Sequence, residues 1–517
     1  MNPLSIHQSF RTTIETAFYH NHVKCLNSRS DIYDLACQDP ASIVTDIPVH
    51  HTQELGLPKN AKVLVDNNGS IVGRTASARV IVTGNKNMQE LKVLQDCIRA
   101  NHERTFYKTD IHIGLNENFE VNAHVMVPDN QINNLYNTVI NFESGLIENP
   151  KETLYLYVDA NWRDPNYPHG LVVLDPESHV GAVLGLNYFG EIKKALLSLT
   201  WNASKLYGYI PCHGGVKYLR HKNREETIGV FGLSGSGKST ITFSKPKHAD
   251  DVQVLHDDAF IIHEENLSTI ALEPSYFDKT ADYAMDHPDI ASFISVQNNG
   301  VTKDKDGNLV LVTEDIRNGN GRCIKSRYAR ENRVDYIETP LTRIFWIMRD
   351  DAFPPCIQIT DPALAAVMGA TLTTTRSNAE NTKEVGKLVI EPYANPFRIY
   401  PLVEDYQQFK NLFSKQNVKC YVLNTGYFDG KKVTPETTFD AIDQILTETG
   451  EFEPFGSTKT MKYLVQENFK PDINSQSYLE KIKKTFELRH NFLADANAWT
   501  WLPQEAHESI KAILSGL

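Results

Sequence analysis

The apolar run Thr227-Ile-Gly-Val-Phe231 is followed directly by Gly232-Leu-Ser-Gly-Ser-Gly237-Lys238-Ser239-Thr240. The second part fits the pattern G-x-x-x-x-G-K-[ST] in full, and the apolar run before it predicts the strand that precedes such a loop. Backbone N–H groups of this loop point at phosphate oxygens, the lysine adds positive charge, and the serine hydroxyl can bind Mg²⁺. A glycine-rich turn with a solvated lysine is the alternative. The residues expected to hold nucleotide phosphates are Gly232, Leu233, Ser234, Gly235, Ser236, Gly237, Lys238, Ser239 and Thr240.

The chain beyond this loop departs from the arrangement that is usual in GTPases and ATPases. Pro246 must end the helix after about two turns, because proline lacks an N–H and clashes with the preceding turn. The next apolar run, VQVLH, predicts a strand that is followed by Asp257 and Asp258. Paired acids at a strand end commonly form turns or cap helices. After a phosphate loop they favour a carboxylate that reaches a nucleotide-bound metal.

The composition is that of a folded chain with more than one domain. It has 517 residues, of which 41% are apolar and 22% charged, so extensive disorder is excluded. The net charge of −12 argues against a general nucleic-acid binder, whose affinity depends on clustered cations. The seven cysteines form no CxxC pair, and no window of about 18 residues is free of charge. We therefore expect a cytoplasmic protein that binds neither membrane nor nucleic acid. We also expect a monomer, although none of these features fixes the oligomeric state.

A polar run, Arg220–Glu226, interrupts the apolar pattern just before the strand of the phosphate loop. It predicts a domain boundary near residue 220. Residues 1–220 would form an N-terminal α/β domain, because strand-like runs there are separated by Asn, Asp, Gly and Pro turns. Residues 221–517 would form a C-terminal mononucleotide-binding domain.

Two features upstream of the loop carry groups that could do chemistry. Apolar residues spaced by four and three after Gly190 predict a helix, which would carry Lys193 and Lys194 in its first turn. Taken alone, this lysine pair indicates a solvated surface. His213 lies in IPCHGG, where a structural role is usual and metal ligation is the alternative.

Taken together, four motifs resemble, in order and near spacing, the signature of the ATP-dependent phosphoenolpyruvate carboxykinase family. They are YFGEIKK at 188–194, IPCHGG at 210–215, GLSGSGKST at 232–240 and HDD at 256–258. The likeness also includes VGRTAS with Arg74, ENRVDY with Arg333, DAFPP at 351–355 and NTGYFDGKKVTPETTFDAIDQIL from Asn424. It implies a two-domain α/β fold of that family, with the substrate-side domain first, a phosphate-loop domain second and the active site in the cleft between them.

The resemblance also implies a metal site. The protein ligands of a catalytic Mn²⁺ would be Lys194, His213 and Asp258, while Ser239 would bind the Mg²⁺ that accompanies ATP. A lysine binds a metal only in its neutral form, which the dication and Lys193 would favour. The residues with catalytic roles would be Lys193, Lys194, Arg333 and Asp258.

Contacts with the organic substrate and with ATP follow from the same resemblance. The residues expected to contact the substrate's carboxylates and the transferring phosphate are Arg74, Tyr188, Lys194 and Arg333. Lys238 would contact the β- and γ-phosphates, and Lys432 with Thr438 the adenine side. The implied reaction is the ATP-dependent conversion of oxaloacetate to phosphoenolpyruvate, CO₂ and ADP in the gluconeogenic direction.

The chain departs from the family's pattern around the organic substrate and the adenine pocket. The family's R-S-P-K-D-K is here Arg74-Thr-Ala-Ser-Ala-Arg79, D-A-F-G-V-L-P-P is shortened to Asp351-Ala-Phe-Pro-Pro355, and E-G-G-C-Y-A-K is Glu273-Pro-Ser-Tyr-Phe-Asp-Lys279. Two alternatives to the carboxykinase therefore stand. One is a phosphotransferase acting on another small-molecule or protein acceptor, and the other is an ATP-binding paralogue with weak catalysis.

Overall fold

The computed structural model describes residues 5–20, 22–73, 76–233, 235–317, 319–375, 388–456 and 459–516. Contacts within the chain divide it into two compact units. The first unit comprises Met1–Ala203 and Leu272–Glu331, and the second Ser204–Ala271 and Asn332–Leu517. The mixed α/β fold class predicted from the sequence is confirmed.

The helices and strands have the following bounds. The helices are α1 (Ile6–Ala17), α2 (Arg29–Gln38), α3 (Met88–Ala100), α4 (Ile132–Asn141), α5 (Phe189–Lys205), α6 (Lys238–Phe243), α7 (Pro362–Ala370), α8 (Leu402–Ser414), α9 (Pro435–Thr447), α10 (Gln476–Ala494) and α11 (Gln504–Ser515). The strands are β1 (Val23–Cys25), β2 (Ile43–Pro48), β3 (Lys62–Val65), β4 (Arg79–Ile81), β5 (Phe106–Asn116), β6 (Phe119–Pro128), β7 (Glu143–Ser144), β8 (Thr153–Asp159), β9 (Leu171–Asp175), β10 (Val180–Leu184), β11 (Tyr209–His213), β12 (Gly215–His221), β13 (Arg224–Phe231), β14 (Asp251–His256), β15 (Ala259–His263), β16 (Thr269–Ala271), β17 (Tyr276–Lys279), β18 (Phe293–Gln297), β19 (Gly300–Lys303), β20 (Leu309–Val312), β21 (Arg322–Lys325), β22 (Tyr336–Ile337), β23 (Leu341–Met348), β24 (Cys356–Ile359), β25 (Thr373–Thr375), β26 (Leu388–Ile390), β27 (Lys419–Asn424), β28 (Tyr427–Phe428), β29 (Lys431–Lys432), β30 (Phe452–Pro454) and β31 (Met461–Leu464).

The first unit is built mainly on two sheets, and the described residues also form the short two-stranded sheet β19–β20. In the larger sheet the strands follow the order β1-β5-β6-β8-β10-β9-β4, and β7 pairs with β5. Helices α1 and α3 contribute Phe10, Ile14 and Leu94 to a buried core that includes Tyr157 and Val173 of this sheet. The smaller sheet has the order β17-β21-β18-β3-β2. Three of its strands come from the segment after residue 271, which explains why that segment belongs to the first unit.

The second unit is built on an eight-stranded sheet with the order β14-β12-β13-β23-β27-β24-β31-β30 among the described residues. Strands β13, β23 and β27 are parallel to one another, and β12 pairs with β13 in the antiparallel sense. Helices α6 and α9 contribute Ile241 and Ile445 to a core shared with Val230 and Phe345. This arrangement places the phosphate loop at the carboxyl end of β13, the first of the three parallel strands.

The division at residue 220 that the sequence predicted differs from the division made by the contacts. The polar run at that point is the turned end of the hairpin β12–β13, in which Arg220 pairs with Glu225 and His221 with Arg224. Lys222 has a φ of 54°, which is the left-handed conformation of a tight turn. The run is polar because a hairpin end faces solvent, and both of its strands belong to the second unit.

Two further properties concern membrane-spanning helices and the state of the cysteines. No helix in the described ranges is long and apolar enough to cross a membrane. All seven cysteines are free thiols, five of them buried.

Candidate active site

The phosphate loop joins the buried end of β13 to helix α6. Gly235 and Gly237 have φ values of 78° and 96°, in the left-handed region that glycine adopts without strain. Their neighbour Ser236 is held from both directions, since its N–H donates to the carbonyl of Leu233 at 3.0 Å and its carbonyl accepts from Thr425 Oγ1 at 2.6 Å. The loop therefore has the curled backbone that its glycines predicted, while Ser234 lies outside the described residues.

Helix α6 is short, as the sequence predicted. It covers only Lys238–Phe243 and ends ahead of Pro246. Within it, the hydroxyl of Thr242 donates to the carbonyl of Lys238 at 2.9 Å. The side chains of Ser239 and Thr240 are exposed, so the hydroxyl of Ser239 is accessible to a metal ion.

A histidine and an aspartate meet beside this loop. His213 ends β11, where it pairs with Ala259, the first residue of β15, and Asp258 directly precedes that strand. His213 Nε2 lies 2.8 Å from Asp258 Oδ1, and Lys238 Nζ lies 3.9 Å from the same oxygen. The pairing of these two neighbouring strands thus brings the HDD motif to the histidine.

The turn that carries Asp258 is fixed by the histidine of the same motif. His256 is fully buried, and its Nδ1 accepts from the backbone N–H of Asp258 at 3.0 Å and from that of Ala259 at 3.4 Å. The carbonyl of Asp258 accepts from the N–H of Gly214 at 3.0 Å. These bonds hold the carboxylate in place relative to His213.

The donor set of His213 and Asp258 suits a cation. His213 Nδ1 contacts the carbonyl oxygen of Ala394, so this nitrogen carries a proton and Nε2 of a neutral ring presents a lone pair. That lone pair faces a carboxylate oxygen at 2.8 Å, and two acceptors at this distance require a proton or a metal ion between them. The described residues contain no group of three His, Cys, Asp or Glu side chains placed to hold a metal. A complete site would therefore need a ligand of another type.

The lysine pair lies on α5 and is buried. Because α5 begins at Phe189, Lys193 and Lys194 occupy its second turn rather than the first turn that the sequence predicted. Their exposed fractions are 0% and 7%, so a solvated pair is excluded. Lys193 Nζ lies 2.9 Å from Glu273 Oε1, and Lys194 Nζ lies 5.9 Å from the ring centre of Trp201.

Sequence reasoning missed the buried acids that hold this helix. Glu273 also accepts from Asn141 Nδ2 at 2.7 Å and is itself fully buried. Glu191 in the first turn of α5 accepts two hydrogen bonds from Arg79 Nη2, at 3.0 and 3.2 Å. The sequence offers one signal for such a partner, the acidic Glu273 in the segment that departs from the family's pattern.

The start of α5 is tied to another buried acid. Gln297 accepts from the N–H of Phe189 at 3.1 Å and donates to Asp66 at 2.7 Å. Asn137 also donates to Asp66, at 3.4 Å. Burial raises the pKa of Asp66 to about 7, against the effect of these donors. The carboxyl group of Asp66 is therefore connected through Gln297 to the first residue of the helix that carries the lysines.

The remaining predicted site residues have varied surroundings. Tyr188 is buried, with its ring centre 6.5 Å from that of Phe277. The side chain of Arg333 is buried and forms an ion pair with Asp335. Arg74 lies outside the described residues.

The residues predicted for the adenine side lie in the hairpin and the helix that follow β27 along the chain. Lys432 is exposed on the short hairpin β28–β29, and Thr438 is buried in α9, where its hydroxyl donates to Thr434 at 3.4 Å. The shortened DAFPP segment contacts this hairpin, because Asp351 accepts from the N–H groups of Asp429 and Gly430 at 3.0 and 2.8 Å. The departure from the family's pattern thus bears on the loop that carries Lys432.

Comparison with known proteins gives a consistent result. Residues 53–474 match the family model described as phosphoenolpyruvate carboxykinase. The chain is 25% identical over 308 residues to the phosphoenolpyruvate carboxykinase (ATP) of Aeropyrum pernix, a match that covers 56% of this chain and 60% of that protein. It is 26% identical over 289 residues to the glycosomal phosphoenolpyruvate carboxykinase (ATP) of Trypanosoma cruzi, covering 52% and 57%. It is 24% identical over 297 residues to the phosphoenolpyruvate carboxykinase (ATP) of Dictyostelium discoideum, a match that covers 54% of this chain and 50% of that protein. The chain thus spans 50% to 60% of the length of these relatives.

Proposed function

We propose, from the premise that this chain belongs to the ATP-dependent phosphoenolpyruvate carboxykinase family, that it converts ATP and oxaloacetate to phosphoenolpyruvate, CO₂ and ADP. The premise rests on the family model, which covers residues 53–474 of 517. The observation that carries the proposal is that two groups approach Oδ1 of Asp258 beside the phosphate loop. They are His213 Nε2 and Lys238 Nζ. This arrangement joins a phosphate-binding element to a cation-binding pair.

The phosphate loop would bind the outer phosphates of ATP. Its backbone is held open by the contacts of Ser236 with Leu233 and Thr425, and the guanidinium of Arg349 contacts the carbonyl of Gly235. These contacts occupy the carbonyl oxygens of Leu233, Gly235 and Ser236 and use the N–H of Ser236 as one donor, and the other N–H groups of the loop would bind phosphate oxygens. Lys238 would neutralise charge on the β- and γ-phosphates.

The pair formed by His213 and Asp258 would hold a divalent cation, with Lys194 as the third ligand. The fit rests on the two facing lone pairs and on the contact between His213 Nδ1 and the carbonyl of Ala394, which fixes the ring. When bound, the cation supplies Lewis-acid stabilisation of the negative oxygen that develops as CO₂ leaves. We assign Mn²⁺ to this set and Mg²⁺ to Ser239 with the nucleotide, because nitrogen ligands suit Mn²⁺ better than Mg²⁺.

The other predicted residues would position the reactants. Arg333 would neutralise charge on the transferring phosphoryl group, and Arg74 and Tyr188 would bind the carboxylates of the organic substrate. Buried Lys193, paired with Glu273, would keep Lys194 in place on α5. Lys432 and Thr438 would contact the adenine.

One observation favours a second candidate function, phosphoryl transfer to a different acceptor. The family's basic stretch is replaced by Arg74-Thr-Ala-Ser-Ala-Arg79. The cation that could compensate, Arg79, forms an ion pair with Glu191 at 3.0 Å. A site with less positive charge for the organic substrate would favour an acceptor with fewer negative charges.

A carboxylation assay separates these candidates. Purified protein is incubated with phosphoenolpyruvate, ADP, bicarbonate and Mn²⁺, and oxaloacetate is detected by its reduction with a coupled dehydrogenase. Formation of oxaloacetate supports the carboxykinase. Nucleotide binding without oxaloacetate favours the second candidate or an ATP-binding paralogue with weak catalysis. A monomeric state and a cytoplasmic location remain predictions, and the relative from Trypanosoma cruzi is named glycosomal.

A further inference from the structure

A buried lysine that has no part in the proposed mechanism lies behind the phosphate loop. Lys217 is on β12, and its exposed fraction is 0%. Its ammonium donates to the carbonyl of Ile241 at 2.6 Å, to the carbonyl of Ser244 at 2.7 Å and to Ser244 Oγ at 3.3 Å. An ammonium has three donors, so these acceptors satisfy all of them.

The acceptors lie at the end of α6, the helix that begins with Lys238. The last carbonyls of a helix have no partners within it and carry partial negative charge, which a cation stabilises. Among the described residues, Lys217 forms no ion pair with a carboxylate, although the negative charge of Asp443 acts on it. Burying an ammonium is costly unless its donors are satisfied, so this lysine is explained by the helix end that it caps.

We propose that Lys217 is a positioning residue that holds the phosphate loop and Lys238 in register by anchoring the far end of α6. The inference rests on the proposed role of that loop in nucleotide binding. It adds a residue that neither the motifs nor the family resemblance singled out.

The short helix makes the anchor effective. Because α6 contains only six residues, Ile241 lies less than one turn from Lys238, and a shift at Ile241 is transmitted to Lys238 over that short distance. Strand β12 also approaches the helix closely, since a Cβ on Gly215 would lie 2.0 Å from Thr242 Oγ1. One strand therefore fixes α6 both by close packing and by the ammonium of Lys217.

The charge state of Lys217 supports this role and makes it sensitive to pH. Burial lowers the pKa of Lys217 to about 7, and Asp443 on α9 opposes this effect. The residues paired with Lys217 on the neighbouring strands, Ile228 and Val254, are apolar. A neutral amine has only two donors, so one of the three bonds is lost as the pH rises through this value.

The test compares Lys217→Met with a matched buried lysine, Lys325→Met. Lys325 is also buried, but it belongs to the first unit and is paired with Asp278 at 3.0 Å. Affinity for a fluorescent ADP analogue with Mg²⁺ is measured by titration at pH 6.5, and phosphoenolpyruvate affinity is measured alongside. We expect Lys217→Met to weaken nucleotide binding about tenfold or more, the effect of losing one charge-assisted contact, with phosphoenolpyruvate affinity within about twofold. Lys325→Met should lower the melting temperature and leave nucleotide affinity unchanged.

Two further measurements keep the proposal falsifiable. Lys217→Arg, which retains a cation, should recover part of the affinity, and the difference between wild type and Lys217→Met should shrink from pH 6.5 to 8.5. If Lys217→Met does not fold, Lys217→Gln takes its place, because its amide retains donors for the two carbonyls.

The outcomes also separate this inference from the proposed function. Nucleotide affinity that is unchanged in Lys217→Met, or in Lys217→Gln where Lys217→Met does not fold, overturns the positioning role, whatever the turnover. Wild-type protein that binds nucleotide but forms no oxaloacetate overturns the carboxykinase and leaves the role of Lys217 intact. Wild-type protein that binds no nucleotide overturns both.

Discussion

The ammonium group of Lys238 lies 3.9 Å from Oδ1 of Asp258, at the first residue of the helix that follows the phosphate loop. A preorganised positive charge at this point should stabilise the transferring phosphoryl group. We expect Lys238→Ala to lower kcat about 10²–10³-fold, as removal of one such group does in other enzymes. Lys245→Ala is the control, because Lys245 is exposed on the following loop. Equal kcat values for the two variants would show that the phosphate loop takes no part in the reaction.

The dependence of activity on Mg²⁺ and Mn²⁺ tests whether His213 and Asp258 bind a metal ion. A set with a neutral lysine, an imidazole and a carboxylate should favour Mn²⁺, so activity with Mg²⁺ alone should be low and should rise steeply when Mn²⁺ is added. His213→Gln and Asp258→Asn should each increase the Mn²⁺ concentration required for half-maximal activity while nucleotide affinity stays nearly constant. Full activity with Mg²⁺ alone, or an unchanged Mn²⁺ response in both variants, would show that these residues do not form one metal site.

The pH dependence of stability tests Asp66. Its carboxyl has a folded-state pKa of about 7, against 3.8 as its ordinary value. Between these values the unfolded chain loses this proton while the folded chain keeps it. Stability should therefore fall as the pH rises, with a slope of about 1 kcal/mol per pH unit from this group.

Asp66→Asn should remove that slope. Thermal unfolding of wild type and variant at pH 5, 6 and 7 should show the variant becoming relatively more stable as the pH rises. Asp34→Asn, which changes an exposed acid, should follow the wild type. A constant difference between wild type and Asp66→Asn across this range would show that Asp66 is ionised in the folded protein.

At the scale of elements, the contact between β12 and α6 should be intolerant of added volume. A methyl group on Gly215 would lie 2.0 Å from Thr242 Oγ1, and the hydroxyl would have to leave the carbonyl of Lys238. We expect Gly215→Ala to destabilise the protein by about 1–3 kcal/mol and to weaken nucleotide binding. Gly319→Ala has open space around its Cβ and serves as the control.

A double variant checks the cause of this effect. Combining Gly215→Ala with Thr242→Ala removes the clashing hydroxyl, so denaturant unfolding should show that the double variant recovers part of the lost stability. If the loss of stability in the double variant equals the sum of the losses in the two single variants, the contact between these residues is not the source of the destabilisation.

The elements that the sequence predicted well are those defined by local rules. The phosphate loop follows from its glycines and its strand, and the early end of α6 follows from Pro246. The hairpin β12–β13 was misinterpreted because a solvent-facing turn and a linker have the same polar composition. The pairs Lys193–Glu273 and Arg79–Glu191 join residues far apart in sequence, and a single sequence contains no local signal for such partners.

At the scale of the whole molecule, the division into units could not be read from one polar run. The chain returns to the first unit after residue 271, because β18 pairs with β3 in parallel and extends a sheet begun much earlier. Such a return depends on strand pairing at long range, which periodicity does not reveal. The family, in contrast, was evident from motifs spread along the chain, and the family model confirms it.

The central claim is that the γ-phosphoryl group of ATP is transferred to the enolate oxygen derived from oxaloacetate. The most direct measurement follows ³¹P NMR spectra of purified protein with ATP, oxaloacetate, Mg²⁺ and Mn²⁺, with CO₂ release recorded in parallel. We expect a phosphoenolpyruvate signal to grow in step with ADP and with CO₂, and Lys238→Ala nearly to abolish all three. Phosphate appearing as inorganic phosphate or in another compound, without phosphoenolpyruvate, would contradict it.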